Sequence, residues 1–420
     1  MTNAGHDHSS CPLIWKLSLV LALSLSLFAP ARAQTFTVIH TFQGPDGANP
    51  RAGVTLGRGG HLYGTTELGG VGGFGTVFEM TSSESGWVLT KLFEFRDVQA
   101  DGYYPVAPVV FGPDGALYGN VQYGGENYGG AVFKLQPPAT ICRAVSCPWT
   151  KTVLANLYGV YGLDPSGPLS FDAAGNIYGT AQLGGNFNFC LAGGLGCGAV
   201  YELIKSQNWA LNSLYAFTET SDGAYPNGGV ILDPAGNVYG TVLGVNIFEL
   251  TPSGSGWTFN VIASLSGNDG YYPYAGLIWD NAGNLYGAAA DGGSGDGGTV
   301  FELSRSGAGW NVDVLASLSG SGGSYAGPLA ALLRDSAGNL YGTSYSDGAF
   351  GCGSVFRLTP SGGGYSFTSL HDFTCGTDGA NPYSTLTMDA SGNLYGTAYY
   401  GGGSECVGGS GCGVVFEITQ

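Results

Sequence analysis

Asp389-Ala390-Ser391-Gly392-Asn393-Leu394-Tyr395-Gly396-Thr397 contains the pentapeptide Gly-x-(Leu/Ile/Val)-Tyr-Gly, which occurs seven times in this 420-residue chain. The other copies carry Tyr63, Tyr118, Tyr178, Tyr239, Tyr286 and Tyr341. Tyr63 and Tyr395 are 332 residues apart in six steps, a mean period of about 55. That is too long for most solenoid repeats and suits one four-stranded propeller blade. The sequence therefore predicts an all-β protein, a seven-bladed β-propeller.

The repeat works outward to both ends of the chain. Lys16, the apolar run Leu17 to Ala29 and the small-x-small site Ala31-Arg32-Ala33 read as an export leader over residues 1–33. Residues 34–420 are then expected to form a single propeller domain, fully used by seven units. The chain has 76 glycines, 25 tyrosines and only 10% charged residues, which disfavours long amphipathic helices. Without the leader, 29 acids face 11 bases, a net charge of −18. Such a surface repels phosphate backbones, so nucleic acid is not an expected partner. Beyond the leader no apolar run reaches membrane length, so no membrane association is expected once it is removed.

Within a unit, four apolar segments alternate with turn signals. In the fifth, Tyr274 to Asp280 reads as strand A, Leu285 to Ala288 as B, Thr299 to Leu303 as C and Trp310 to Leu318 as D. The A–B turn carries Gly60, Gly115, Gly175, Gly236, Gly283, Gly338 or Gly392, where a hairpin needs one residue at positive φ. Asp172, Asp233, Asp280, Asp335 and Asp389 precede that glycine and read as turn-capping carboxylates. Trp87, Trp149, Trp209, Trp257, Trp310 and Tyr365 open strand D, where they are expected to pack along the outer edge of each blade. The chain ends on a strand C, Val414 to Ile418, whereas Phe36-Thr-Val-Ile-His-Thr-Phe42 matches the strand-D segment Phe367 to Phe373. The N-terminal segment is thus predicted to complete the seventh blade and remove the open sheet edge.

A meander of this kind gathers the B–C loops and the D-to-A connections at one end of the ring. The B–C loops vary most, and loop variation on a fixed scaffold points to recognition. The D–A connections carry Asp-Gly-(Ala/Tyr)-(Asn/Tyr)-Pro at Asp46–Pro50, Asp101–Pro105, Asp222–Pro226, Asp269–Pro273 and Asp378–Pro382. The candidate ligand-binding residues on this end are Asn49, Arg51, Tyr103, Tyr104, Tyr225, Tyr271, Tyr272 and Asn381. Tyrosine offers a flat apolar face with a hydroxyl, suited to sugar rings or protein surfaces. The competing reading is a rigid inter-blade turn. Arg51 breaks the repeat symmetry, and the sequence leaves it either on the surface or in the channel. Eight cysteines outside the leader suggest disulfides. Cys142 with Cys147, Cys190 with Cys197, Cys352 with Cys375 and Cys406 with Cys412 are the expected couples, one set among many.

The units Asp389 to Thr397 and Gly298 to Leu303 resemble the GloVer tandem repeat of exported bacterial proteins, the "choice-of-anchor" group. The resemblance spans 34–420, because both motifs recur in order. It implies a secreted, extracellular or periplasmic repeat protein. Members often end in a sorting anchor, whereas this chain stops two residues after Phe416-Glu417-Ile418.

No catalytic residues can be nominated. His40 and His371 occupy equivalent strand positions, and there is no Gly-x-Ser-x-Gly elbow. No metal-ligand loop is present, so no cofactor is expected, although an acidic face is compatible with calcium. Loop acids that break the symmetry include Glu67, Glu126, Asp291, Asp296, Asp347 and Glu405. The expected function is a non-catalytic binding module for an extracellular glycan or protein. The alternatives are a carbohydrate-active lyase or hydrolase with its site at the channel mouth, and a structural matrix protein. Three convergent, symmetry-breaking polar residues at that mouth would favour the enzyme.

Overall fold

The computed structural model describes residues 1–2, 34–96, 99–138, 149–188, 190, 194–244, 246–254, 256–307, 309–320, 327–403, 406 and 409–420. Nearly all of the leader lies outside the described residues, as do Cys142, Cys147 and Glu405. The expected bond between Cys142 and Cys147 therefore stays an expectation.

Seven antiparallel sheets follow one another, each a meander from a short inner strand A to an outer strand D. In the fifth blade these strands are Ile278–Trp279, Leu285–Ala289, Asp296–Ser306 and Gly309–Ser319. Strand A is shorter than the sequence suggests, because its first residues turn inward to line the axis instead of pairing. The third blade adds an extra inner strand, Leu163–Pro165, which pairs beside Ser170–Phe171 on the same strand B.

The ring closes as expected. Thr35–Thr41 pairs antiparallel with Val414–Thr419 and supplies strand D of the seventh blade. The two cuts of the circle are joined again at the axis, where Thr397 Oγ1 donates to the Ala52 carbonyl (2.9 Å). The same strand-B position makes the same bond across other seams, from Thr65 to Ala107, Asn120 to Gly167, Thr241 to Ala275 and Thr343 to Ser384.

The two glycines and the tyrosine of the repeated pentapeptide each have a structural reason. Its first glycine sits at positive φ in all seven A–B turns. Its tyrosine hydroxyl reaches the turn aspartate, a strand-C glutamate or both, as in Tyr395 to Asp389 (3.2 Å) and Glu417 (3.0 Å). The aspartates cap their turns, for example Asp280 Oδ1 accepting from the amides of Ala282 and Asn284. Its last glycine makes room for a strand-C aromatic ring. A Cβ on Gly287 would lie 2.5 Å from Phe301, and Gly64, Gly119, Gly179, Gly240, Gly342 and Gly396 face Phe78, Phe133, Tyr201, Phe248, Phe356 and Phe416 in the same way. Those rings are fully buried.

Gly287→Ala is accordingly expected to lower unfolding free energy by about 1–3 kcal/mol through overpacking. Adding Phe301→Leu should recover part of that loss in urea unfolding, and no recovery would show that the ring is not the obstacle.

The aromatics opening strand D do not simply cover an outer edge. Trp87, Trp149, Trp209 and Trp310 each approach the pentapeptide tyrosine of the preceding blade, at 5.8–6.4 Å between ring centroids. They seal the seams between blades, because neighbouring blades splay outward and leave a wedge that only a large ring fills.

Candidate functional site

The inner ends of the seven A strands crowd the axis. A Cβ on Gly53 would sit 2.1 Å from the Thr385 carbonyl oxygen, and Gly167, Gly228 and Gly276 are similarly pinched against backbone. The remaining channel has a volume of about 90 Å³. Small-molecule pockets run to roughly 300–1,000 Å³, so the channel interior is too small for a ligand of that size.

Seven equivalent residues ring the axis, one per blade: Arg51, Val106, Ser166, Asn227, Tyr274, Leu329 and Tyr383. Arg51 therefore lines the channel, which settles the choice the sequence leaves open. Its guanidinium lies over the Tyr383 ring at 5.2 Å. Burial alone weakens its positive charge, and Tyr274, Glu67, Tyr383 and Tyr399 around it outweigh that effect. Among the described residues Arg51 forms no ion pair, since the nearby Glu67 carboxylate instead accepts from Tyr399 OH (3.1 Å). Tyr345 and Tyr399 flank Tyr383 with centroids 4.6 and 5.9 Å away, extending an aromatic wall.

The opposite side of the mouth comes from the third and fourth blades. Asp164 is 4% exposed, and burial pushes its carboxyl up to about 6 against the pull of Gln122, Arg51 and Tyr123. Tyr123 OH donates to its Oδ2 at 3.5 Å, whereas Oδ1 has no partner. Of the ten other buried side-chain atoms without a partner among the described residues, three belong to the same stretch of the third and fourth blades: Ser166 Oγ, Tyr225 OH and Asn227 Nδ2. Asn227 is 8% exposed. A buried polar group without a hydrogen bond costs about 1–3 kcal/mol, so four in adjoining blades mark a place where water or a ligand completes the structure.

The D–A motif is strained at a constant position. Asn49, Tyr104, Asp164, Tyr225, Tyr272 and Asn381 all have φ between 55° and 62°, each immediately before proline. Side chains there cost of order 1–3 kcal/mol and are held by their surroundings. The motif aspartates supply part of that hold, since His40, Tyr215, His371 and Lys151 bind Asp46, Asp222, Asp378 and Asp101.

The structure sorts the sequence candidates into two groups. Arg51 lines the channel, Tyr103 and Tyr104 pack on Tyr123, and Tyr225 packs against the core cluster of Phe217 and Phe248 with its hydroxyl unpartnered. The Asn49 and Asn381 amides donate to the Tyr399 and Tyr345 carbonyls of the preceding blade, both at 3.0 Å, and so serve the inter-blade turn. Tyr271 is 41% exposed, pairs with Asp291 in a bridge and takes no part in the cluster. Tyr272 shares the strained conformation. Sequence reasoning misses Asp164, Ser166, Asn227, Tyr345, Tyr383 and Tyr399. Asp164-Pro165 is a degenerate sixth copy of the D–A motif, recognisable from Gly162 and Pro165.

Three disulfides fix loops at this end: Cys190–Cys197, Cys352–Cys375 and Cys406–Cys412. The fourth expected couple is not among them, because Cys142 and Cys147 both lie outside the described residues. Among the described residues the one cluster of metal-type ligands is Cys190, Cys197 and Glu219, and its sulfurs are joined to each other.

The Gloeobacter/Verrucomicrobia repeat matches residues 26–145 and 243–420, well over half of the chain. No curated protein matches this sequence. Among solved structures, a candidate 6-phosphogluconolactonase from Bacteroides uniformis is similar with 15% identity and a TM-score of 0.51, over 80% of this chain and 88% of that one. A gluconolactonase from Xanthomonas campestris is similar with 12% identity and a TM-score of 0.42, over 92% and 89%. At such identities the likeness concerns the fold alone.

Proposed function

We propose that this chain, which belongs to the Gloeobacter/Verrucomicrobia repeat family, binds a saccharide across the loop end of its central channel. The carrying observation is the set of buried, unpartnered polar atoms on Asp164, Ser166, Tyr225 and Asn227, on the side of the ring opposite the Tyr345–Tyr383–Tyr399 wall. Sugar hydroxyls supply hydrogen bonds to the first group, and the apolar face of a sugar ring packs on the second. The loops are pre-shaped by disulfides, which lowers the entropy cost of binding. Disulfides also suit an oxidising compartment. Among the described residues no helix is long and apolar enough to cross a membrane.

A glycan array followed by calorimetry tests this. Asn227→Ala is expected to weaken the best saccharide about tenfold, within the range for a buried hydrogen bond. Undiminished affinity in that variant, or no saccharide bound at all, would defeat the proposal.

A carbohydrate-active enzyme is the second reading. Arg51, Glu67 and Asp164 are ionisable, break the sevenfold symmetry and are electrostatically coupled at one mouth. A carboxyl near pH 6 is also suited to general acid–base work. It ranks second because Glu67 is tied to Tyr399 and no geometry for a reacting bond is defined. Release of shortened products from any polysaccharide would reverse the ranking. The sharp break in symmetry counts against a purely structural matrix protein, for which seven identical ring positions would suffice.

A further inference from the structure

Resting on the saccharide reading, we infer that the ligand is an acidic saccharide whose sugar carboxylate docks on Arg51 while its hydroxyls reach Asp164, Ser166 and Asn227. The argument begins with the one cation on the axis. Of seven equivalent ring positions, six are neutral and one carries a guanidinium. That group is partly buried, stacked on Tyr383 and without an ion-pair partner among the described residues. A partly buried arginine is normally paired, because its desolvated charge needs an acceptor. The nearby acid Glu67 accepts the Tyr399 hydroxyl and forms no ion pair with Arg51. The five N–H donors of the fork are thus left for something that arrives from outside.

The shape of the fork selects what arrives. A planar guanidinium binds a carboxylate through two parallel hydrogen bonds, and that of Arg51 lies over the Tyr383 ring, 5.2 Å from its centroid. Tyr274, Tyr345 and Tyr399 surround it with neutral phenols, which do not repel an incoming anion. The other side of the mouth is chemically opposite. Asp164 Oδ1, Ser166 Oγ and Asn227 Nδ2 are small acceptors and donors matched to hydroxyl groups, and Asp164 and Asn227 are each more than nine-tenths buried. A unit bearing one carboxylate and several hydroxyls, a uronic acid residue within an oligosaccharide, satisfies both sides at once. The chain as a whole carries a net charge of −17. Long-range repulsion therefore opposes long polyanions, so short acidic oligosaccharides are the fitting probes.

The probes are tetramers of galacturonate, glucuronate and mannuronate, each with its carboxyl-reduced counterpart, titrated into the purified protein. At least one acid form is expected to bind ten- to hundredfold more tightly than its reduced form. Arg51→Gln should bring the acid form down to the reduced form's affinity, Arg51→Lys should restore part of it, and Asn227→Ala should weaken both forms alike. Equal binding of acid and reduced forms overturns the inference while leaving saccharide binding intact, as does an Arg51→Gln variant that still prefers the acid. Preference for sulfated over carboxylated sugars also overturns it. No binding of either form overturns the inference, and an empty glycan array besides overturns the saccharide reading as well. Melting curves of each variant separate lost contacts from lost folding.

Discussion

A chain lacking residues 34–42 is expected not to fold cooperatively. Those residues contain strand Thr35–Thr41, whose six ladder pairs with Val414–Thr419 join the two ends of the chain and close the ring. The strand also brings rings into the core. Phe36 stacks on His371 at 3.6 Å and meets Phe373 and Phe416, while Phe42 is 2% exposed against Phe78. Truncating one buried phenylalanine costs about 3–5 kcal/mol. Phe42, together with the partly buried Phe36 and the strand's ladder, amounts to a large part of the roughly 5–15 kcal/mol that typically separates folded from unfolded protein. The deletion also uncovers the strand-C edge, whose buried run Val414, Val415 and Phe416 becomes a template for other chains. Calorimetry should show no sharp transition and size-exclusion should show aggregates. Adding a peptide of residues 34–42 in trans should restore a transition. An unchanged melting temperature after deletion would mean that the blades hold one another without the clasp.

Asp164→Asn is expected to stabilise the protein at neutral pH and to weaken its saccharide binding. The folded-state carboxyl titrates at about 6, raised from 3.8 chiefly by burial. A raised acid pKa penalises the folded state above the folded value and not below the unfolded one. The penalty is thus complete above pH 6, fades between pH 6 and 3.8, and is absent below. About two units correspond to roughly 3 kcal/mol, and the new amide's own burial leaves an expected gain of about 1–3 kcal/mol at pH 8. Urea unfolding of variant and native chains at pH 8 and pH 4 reads the difference directly. The gain should vanish at pH 4. Asp46, Asp114, Asp280, Asp335 and Asp378 act in the other sense, since partners hold their carboxyls low and their contribution is lost only as pH falls below the usual carboxylate range. They are common to both chains and cancel in the comparison. A variant that is less stable at pH 8 would show that the Asp164 charge is satisfied.

The two expectations differ in how far the sequence foreshadows them. The clasp is legible because strands repeat: His40 and His371 occupy matching places in matching segments, and a missing seventh strand D can be counted. The three described disulfides are legible for the same reason, as couples inside or between loops of one end. The mouth is less so. Tyr225 and Arg51 are visible on the D–A motif, yet Asn49 and Asn381 on that motif turn out to brace the preceding blade. Ser166, Asn227 and Tyr383 look unremarkable in sequence, because each is simply the residue after a proline.

Periodicity written along the chain decided what is local or recurrent: the blade, its glycine turns, the ring count and the joining of its ends. Those features depend on backbone conformation and on strand pairing, which a repeated pentapeptide encodes directly. Only the closed ring decided which departures from the repeat meet. Arg51 and Asp164 are more than a hundred residues apart, and they share one mouth because sevenfold closure turns every strand A toward a common axis. There the deviations from symmetry, scattered in sequence, become neighbours whose charge and unmet hydrogen bonds define a site.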